Sequence, residues 1–120
     1  GLASVQIDVE GELPSDARVA AAFLQIIREA STNATKHAQA HRVHVRLWQE
    51  TSEDGAVARM TVSNDGAPAP VSYREGTGIP GMRHVAQNLG GSLEVHTAPP
   101  FTLTVSIPLA SNATVQRRSS

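Results

Sequence analysis

The sequence predicts a two-layer α/β domain in which a mixed, mostly antiparallel sheet carries helices on one face. Three observations predict this fold class. Five segments contain apolar residues alternating with polar ones, as half-buried strands do, and two segments repeat apolar residues at the period of a helix. Most neighbouring strand segments are separated by short turns, which favours antiparallel pairing. The segments follow the order β-α-β-β-loop-α-β-β.

The first strand is predicted in SVQIDVEGELP. Val5, Ile7 and Val9 alternate there with polar residues until Gly11 and Pro14 break the pattern. This alternation is typical of a half-buried strand.

The longest helix is predicted from Asp16 to about Ala38, after a cap at Ser15 or Asp16. Its apolar side chains fall on one arc of a helical wheel and should face the sheet. These residues are Ala20, Phe23, Leu24, Ile27, Ala30, Ala34 and Ala38.

Two strands follow in RVHVRLWQE and AVARMTVSND, and the turn signal EDG between them predicts a hairpin. Val43, Val45 and Leu47 fall on one face of the first strand, and the second strand uses Val57, Met60 and Val62 less regularly. DGAPAPVSYREGTGIPG is predicted to be a loop, and MRHVAQNL continues as a helix that Gly90 and Gly91 end. SLEVHT and FTLTVSIPL are the last strands. We expect one domain over residues 1–109 and a frayed tail over 110–120.

Composition narrows the possible functions. The 120 residues fit one domain, and without cysteine neither a disulfide nor a thiolate zinc site can form. A net charge of −1 with 3% aromatic residues makes nucleic acid an unfavoured partner. No apolar run approaches the ~20 residues that span a bilayer. Because the chain begins at Gly1 rather than Met, we expect a fragment of a longer protein, whose membrane anchorage stays open.

The first helix carries four polar side chains beside its apolar arc. Glu29, Asn33, Lys36 and His37 span roughly 100° of the wheel. An Asn carbonyl suits Mg²⁺, a Glu one turn earlier can orient a water or accept a proton, and Lys and His one turn later can contact phosphate oxygens. Taken alone, these residues fit a solvated helix edge equally well.

A strand end and a glycine loop supply further candidates. Asp65 in VSNDG can accept a hydrogen bond from an exocyclic amine such as that of adenine, although Asn-Asp-Gly is also common in turns. GTGIPGM places Gly76, Gly78 and Gly81 before a helix, where backbone without Cβ can approach a phosphate. It matches neither a Walker loop nor the dinucleotide fingerprint, and alone it fits a flexible loop as well.

The order and spacing of these segments resemble one family closely. LQIIREASTNATKHAQAHRV, VSNDG, GTGIPGMRHVAQNLGGSLEV and a last strand ending in IPL resemble the catalytic ATP-binding domain of two-component sensor histidine kinases. The nitrate-sensor and DesK-like subfamily, with its very short ATP lid, is the most similar. The resemblance runs from about Val5 to Leu109. It implies the Bergerat ATP-binding fold of the GHKL superfamily, shared with gyrase B, MutL and ninety-kilodalton heat-shock chaperones.

By matching positions, the resemblance implies a role for each polar residue of the first helix. Asn33 is similar to the Mg²⁺ ligand of the family's Asn box, and Glu29 to its acidic residue, which polarises the attacking group or its water. Lys36 and His37 match the phosphate-side positions.

The resemblance also implies the nucleotide contacts. Asp65 is similar to the adenine-reading aspartate. The glycine-box residues beside the nucleotide would be Gly66, Gly76, Thr77, Gly78, Gly81 and Met82. One departure from the family pattern is PPFTL, which places Phe101 where a hydroxyl often supports the adenine site. Thr102 should face the opposite side of the strand.

The resemblance implies that the domain binds Mg-ATP and transfers the γ-phosphoryl group to a histidine on separate dimerisation helices. A response regulator would then take the phosphoryl group. The acceptor histidine is expected outside this fragment, in a homodimeric parent whose catalytic domain is cytoplasmic. Two alternatives stay open, an anti-sigma-factor serine kinase of the same fold and a nucleotide-binding pseudokinase module.

Overall fold

A computed structural model describes residues 4–11, 16–37, 41–53, 55–65, 78–98 and 100–109. The elements in these ranges are β1 Ser4–Val9, α1 Ala17–His37, β2 Arg42–Ser52, β3 Gly55–Asn64, α2 Ile79–Asn88, β4 Ser92–His96 and β5 Thr102–Pro108. Their order confirms the predicted one. The predicted tail, residues 110–120, lies outside the described ranges. Neither described helix is both long enough and apolar enough to cross a membrane.

The strands form one mixed sheet in the order β1-β2-β3-β5-β4. Only the pairing of β1 with β2 is parallel, and β2–β3, β3–β5 and β4–β5 are antiparallel. Parallel neighbours need a long crossover, which α1 provides. The helices contact each other, α1 packs on β2 and β3, and α2 packs on β4 and β5. The predicted two-layer fold is therefore confirmed.

The hairpin of β2 and β3 forms as predicted, and burial along β3 alternates more regularly than its apolar residues do in the sequence. In β3, Ala58, Met60 and Val62 are buried, whereas Val57 is only partly buried. Because side chains alternate along a strand, Val57 shares a face with Arg59, on the side of the sheet without helices. From Ala58 onward, the even-numbered residues of β3 are buried against the helices and the odd-numbered ones are not.

Helix α1 begins after Asp16, whose carboxylate Oδ1 accepts a hydrogen bond from the N–H of Arg18 at 2.9 Å, as an N-cap does. Its buried stripe differs from the predicted arc. Ala20 and Leu24 are exposed, the latter by 55%. The buried residues are Val19, Ala22, Phe23, Ile26, Ile27, Ala30, Asn33 and Ala34. Spacings of three and four from Val19 generate this stripe, which rotates the helix so that Asn33 enters the core.

Strand β1 confirms the predicted alternation but stands at the sheet edge with little cover. Val5, Ile7 and Val9 pair with the buried Val43, Val45 and Leu47, and so point to the helix side of the sheet. They nevertheless remain 42–48% exposed. The apolar pattern identified the strand and its inward face, but burial depends on where α1 lies.

The face of the sheet opposite the helices is polar. Oδ2 of Asp8 accepts a hydrogen bond from Nε2 of His44 at 2.6 Å, and this bond lowers the pKa of Asp8. Arg59 donates to Glu50 at 2.8 Å and to Ser106 at 2.6 Å. Exposed pairs of this kind contribute little individually, so the fold depends mainly on the other face.

The end of α2 is a Schellman motif. The N–H of Gly90 donates to the carbonyl of Gln87 and the N–H of Gly91 to that of Ala86, both at 2.9 Å, with Gly90 at φ +78°. This confirms the predicted stop at the two glycines. Gly91 then passes so close to β5 that a Cβ there would lie 2.1 Å from the carbonyl oxygen of Ser106.

We expect Gly91→Ala to lower the free energy of unfolding by about 1–3 kcal/mol, since the added methyl meets backbone that cannot rotate away. The melting temperature should fall by roughly 5 °C or more. Gly81→Ala is the matched control, because a Cβ at Gly81 meets nothing within 4 Å. It should leave stability unchanged or raise it by up to about 1 kcal/mol. Equal melting temperatures for the two variants would contradict the close approach.

Candidate functional site

Asn33 lies inside the core although it is polar. It is 5% exposed, and its Nδ2 is buried without a hydrogen-bond partner among the described residues. An unsatisfied buried polar group destabilises a fold by about 1–3 kcal/mol. The sequence placed Asn33 beside the apolar arc, whereas the structure places it within the buried stripe. Such a group in a native fold calls for a function or a ligand.

Gly78 brings the Asn33 helix and the second helix together. Its φ of +107° lies in the left-handed region that favours glycine. A Cβ on Gly78 would lie 3.0 Å from Nδ2 of Asn33 and 3.2 Å from Oε2 of Glu29. The three predicted site residues therefore meet, and the missing side chain makes the room for them.

A groove of about 90 Å³ lies between α1 and α2 at this contact. It is lined by Gln25, Glu29, Gly78, Gly81, Met82 and Val85. Four of these six residues are predicted site residues from two distant segments. The fold thus joins the polar helix edge and the end of the glycine loop at one place.

The groove contains the start of α2, which is suited to an anion. Its N-cap residue, Gly78, has no side chain with which to accept hydrogen bonds from the first turn. The first intrahelical bond runs from the N–H of Met82 to the carbonyl of Gly78 at 2.8 Å. The N–H groups of Ile79 and Gly81 therefore lack an intrahelical partner, and the helix dipole adds positive potential there.

Gly81 has no structural explanation in its surroundings. It lies in the first turn of α2, its φ is not positive, and a Cβ would enter open space. Glycine in a helix is less favourable than alanine by about 1 kcal/mol. Because Gly81 has no side chain, its backbone is open to the groove.

Asp65 lies at the predicted strand end, but one of its carboxylate oxygens is already hydrogen-bonded to backbone N–H groups. Oδ1 accepts hydrogen bonds from the N–H groups of His41 and Arg42 at 2.9 and 3.0 Å. The bond from Arg42, with that from His41, lowers the pKa of Asp65 below its usual value. Asp65 is exposed and ties the end of β3 to the start of β2. These two hydrogen bonds were not expected from the sequence, because they join residues 24 and 23 positions apart.

Asn64 is a buried polar residue that the sequence analysis missed. It is 8% exposed and lines a cavity of about 10 Å³ together with Phe101, room for no more than one water. Strand alternation from Met60 and Val62 places it on the helix side of the sheet, and that signal could have found it. Thr102 faces away, as predicted, and its hydroxyl donates to the carbonyl of Pro100 at 2.8 Å.

Several predicted site residues fall outside what the structure describes. Gly66, Gly76 and Thr77 lie outside the described ranges. Lys36 and His37 belong to the last turn of α1, but their side chains are not among those described. Their roles stay predictions. Within the described residues no group of three or more His, Cys, Asp or Glu could hold a metal ion.

A larger open groove, of about 440 Å³, lies on the polar face of the sheet. Its size is closer to that of ligand pockets in general. However, it contains none of the predicted site residues, and its cation, Arg59, already contacts Glu50 and Ser106. The candidate functional site is therefore the groove between the helices, next to which the unsatisfied amide of Asn33 and the uncapped start of α2 meet.

A comparison with protein families matches residues 19–111 to the histidine kinase-, DNA gyrase B-, and HSP90-like ATPase family. The chain is 32% identical over 104 residues to the sensor histidine kinase MctS of Rhizobium johnstonii, covering 82% of this chain and 22% of that protein. It is 36% identical over 87 residues to the sensor histidine kinase DesK of Bacillus subtilis, covering 68% and 22%. The chain thus spans about a fifth of the length of these relatives.

Solved structures agree with this comparison. The histidine kinase domain of a blue-light activated histidine kinase from Erythrobacter litoralis superposes with a TM-score of 0.67 at 26% identity, over 95% of this chain and 55% of that one. The ATP binding domain of PrrB from Mycobacterium tuberculosis gives 0.65 at 20% identity, over 88% and 79%. The second likeness concerns the fold alone.

We expect Asp65→Asn to make the stability of the protein less sensitive to acid. Because the folded state depresses the pKa of Asp65, its charge stabilises the fold above the unfolded pKa of about 3.9. That contribution disappears as the pH falls through the folded pKa. The difference in melting temperature between wild type and variant should be largest near neutral pH and should shrink below about pH 4.

The control is Glu53→Gln, which removes the same charge from an exposed turn residue. Its melting temperature should follow that of the wild type at each pH. A difference in melting temperature between wild type and Asp65→Asn that stays constant from pH 7 to pH 3 would contradict a stabilising role for the charge of Asp65.

Proposed function

Because the chain belongs to the histidine kinase-, DNA gyrase B- and HSP90-like ATPase family, we propose that it is the ATP-binding catalytic domain of a sensor histidine kinase. The observation that carries the proposal is the meeting of Glu29 and Asn33 at Gly78, beside the groove that Glu29 and Gly78 line. A buried amide without a partner, a carboxylate and an uncapped helix start lie together there. Phosphate oxygens and a hard divalent cation complete such a set of groups.

The residues present fit Mg-ATP. The side chain of Asn33 would hold Mg²⁺ through its carbonyl oxygen, since amide oxygens are ligands that this cation accepts. The backbone N–H groups at the start of α2 would bind phosphate oxygens, with Gly81 allowing their close approach. When bound, ATP supplies the phosphoryl group that is transferred. Lys36 and His37 are proposed as further phosphate contacts, and Gly66, Gly76 and Thr77 as part of the covering loop.

The proposed reaction forms a bond between an imidazole nitrogen of the acceptor and the γ-phosphorus, while the bond to ADP breaks. Catalysis of such a transfer depends mostly on positioning and on neutralising charge. The carboxylate of Glu29 lies at the exposed mouth of the groove, next to Gly78. We assign to it the orientation of the attacking imidazole and the acceptance of its proton.

The partners in this proposal are the dimerisation helices of a homodimeric parent, which carry the acceptor histidine, and a response regulator. The relatives' names support this choice over a serine kinase, because MctS and DesK are both sensor histidine kinases. A pseudokinase would not need a carboxylate beside the metal ligand. The catalytic domain is proposed to act in the cytoplasm.

The test is transfer of labelled γ-phosphate from ATP. We expect this chain to bind ATP without labelling itself, and to label the dimerisation-helix fragment of the parent when that fragment is added. The label should be stable to base and labile to acid, as phosphohistidine is. Transfer should be slow and should rise with concentration, because the two fragments are no longer tethered. Base-stable label on this chain alone would contradict an external acceptor.

Glu29→Gln should reduce that transfer by about 10²–10⁴-fold while leaving ATP affinity nearly unchanged. The amide keeps the size of the side chain but cannot accept the proton. Gln25→Glu, which adds a carboxylate one turn away in the same groove, tests position. Transfer restored in the double variant would show that the site requires only a nearby negative charge.

Asn33→Ala should lower ATP affinity by roughly ten- to a hundredfold when Mg²⁺ is present and much less when it is absent. Stability should change by less than about 1 kcal/mol, since the variant also removes an unsatisfied buried N–H. Isothermal titration with and without Mg²⁺, together with thermal unfolding, separates the two effects. An equal loss of affinity under both conditions would mean that Asn33 does not bind the metal.

A further inference from the structure

We propose that Asn64, rather than Asp65, recognises the base of the bound nucleotide, and that its amide accepts purines with either an amino or an oxo group at position 6. The proposal rests on the proposed nucleotide binding and names the residue that sets its specificity. It follows from where β3 places two adjacent side chains. The sequence alone pointed to the second of them.

Asn64 is the last residue of β3 and lies on the face of the sheet that the helices cover. It continues the inward series of Ala58, Met60 and Val62, and it pairs with Val43 on the neighbouring strand. Its N–H donates to the carbonyl of Phe101 at 3.2 Å. Of the residues that the structure describes, only Asn33 and Asn64 are buried polar ones. Asn33 has a proposed role toward the metal, whereas the function of the Asn64 side chain has not been considered so far.

The surroundings of Asn64 are otherwise apolar and adjoin the groove between α1 and α2. Val43, Phe101 and Leu103 line the same small cavity, in which Asn64 provides the polar side chain. Met82 lines both this cavity and the groove that contains Glu29 and Gly78. A planar ring lying over this apolar floor, with its phosphates at the start of α2, would meet the amide of Asn64 along its edge.

Asp65 is not placed for this task. As the next residue it leaves the inward series, it is exposed, and its Oδ1 already accepts two backbone hydrogen bonds from the start of β2. Turning it toward the cavity would break both bonds and release the end of β3. The hydrogen bonds to His41 and Arg42 already give its carboxylate a structural role.

The chemistry of an amide differs from that of a carboxylate in a way that a base detects. Adenine presents a donor at the 6-amino group beside the acceptor N1, and hypoxanthine presents an acceptor oxygen beside a donor N1–H. A carboxylate only accepts, so it favours the amino form and repels the oxo form. An amide both donates and accepts, and a half-turn of its terminal group matches either edge. Asn64 should therefore bind both classes of purine.

The test compares binding of Mg-ATP and Mg-ITP, which differ only at this edge, to the intact chain by isothermal titration. The wild type should bind both within about tenfold. Asn64→Asp should shift the preference toward ATP by roughly ten- to a hundredfold, as expected when a charged acceptor replaces a matched pair. Asp65→Asn should leave the ratio of the two affinities unchanged. Each ratio is measured within one protein, so a general loss of stability cancels.

Three outcomes would overturn the inference while leaving the proposed function intact. These are an unchanged ratio in Asn64→Asp, a changed ratio in Asp65→Asn, or a wild type that rejects ITP by more than a hundredfold. If the wild type binds neither nucleotide, the proposed function fails and this inference with it. Should Asn64→Asp not fold, Asn64→Ser replaces it and should weaken both nucleotides about tenfold. Full affinity in that variant would equally overturn the role of Asn64.

Discussion

The close approach of α2 to α1 at Gly78 is the constraint on which the candidate site depends. Without a Cβ, the backbone of Gly78 lies directly against the side chains of Asn33 and Glu29. That contact makes one wall of the groove out of two segments more than forty residues apart. It also fixes the direction of α2, whose free N–H groups then face the same space. Any larger residue would separate the helices and would require a left-handed conformation that only glycine adopts easily.

The features that weaken the fold gather at this contact, whereas the rest follows ordinary rules. Asn33 buries an unsatisfied amide, Gly81 occupies a helical turn, and α2 starts without a side-chain cap. Elsewhere the strands alternate regularly, α1 has an Asp cap and α2 ends in a complete Schellman motif. Local conflicts in an otherwise consistent sequence are typical of functional sites. In the proposed function, the phosphate oxygens of a nucleotide supply acceptors for the N–H groups that lack them, and the carbonyl oxygen of Asn33 would hold the metal.

The hairpin of β2 and β3 holds the opposite side of the site. Its end is closed by Asp65, which binds backbone N–H groups of the next strand, while the preceding residue turns inward over the small cavity. In the proposed mode of nucleotide binding, the exposed Asp65 has the structural task and the buried Asn64 the recognition of the base. The division follows from strand geometry, because adjacent side chains point to opposite faces. The parallel strand β1 contributes less, since its inward side chains remain half-exposed at the sheet edge.

The sequence by itself determined the order of the elements, the hairpin, the stop of α2 at two glycines and the residue types of the site, because these depend on short-range periodicity and turn chemistry. It misjudged the buried face of α1 at Ala20 and Leu24, since a helix with apolar residues on several sides is oriented only by its neighbours. It identified Gly78 as a candidate but not what Gly78 touches. The burial of Asn33, the hydrogen bonds of Asp65 to the start of β2, and the neighbours Phe101 and Met82 beside Asn64 were decided by tertiary structure, because each depends on contact between segments that are distant along the chain.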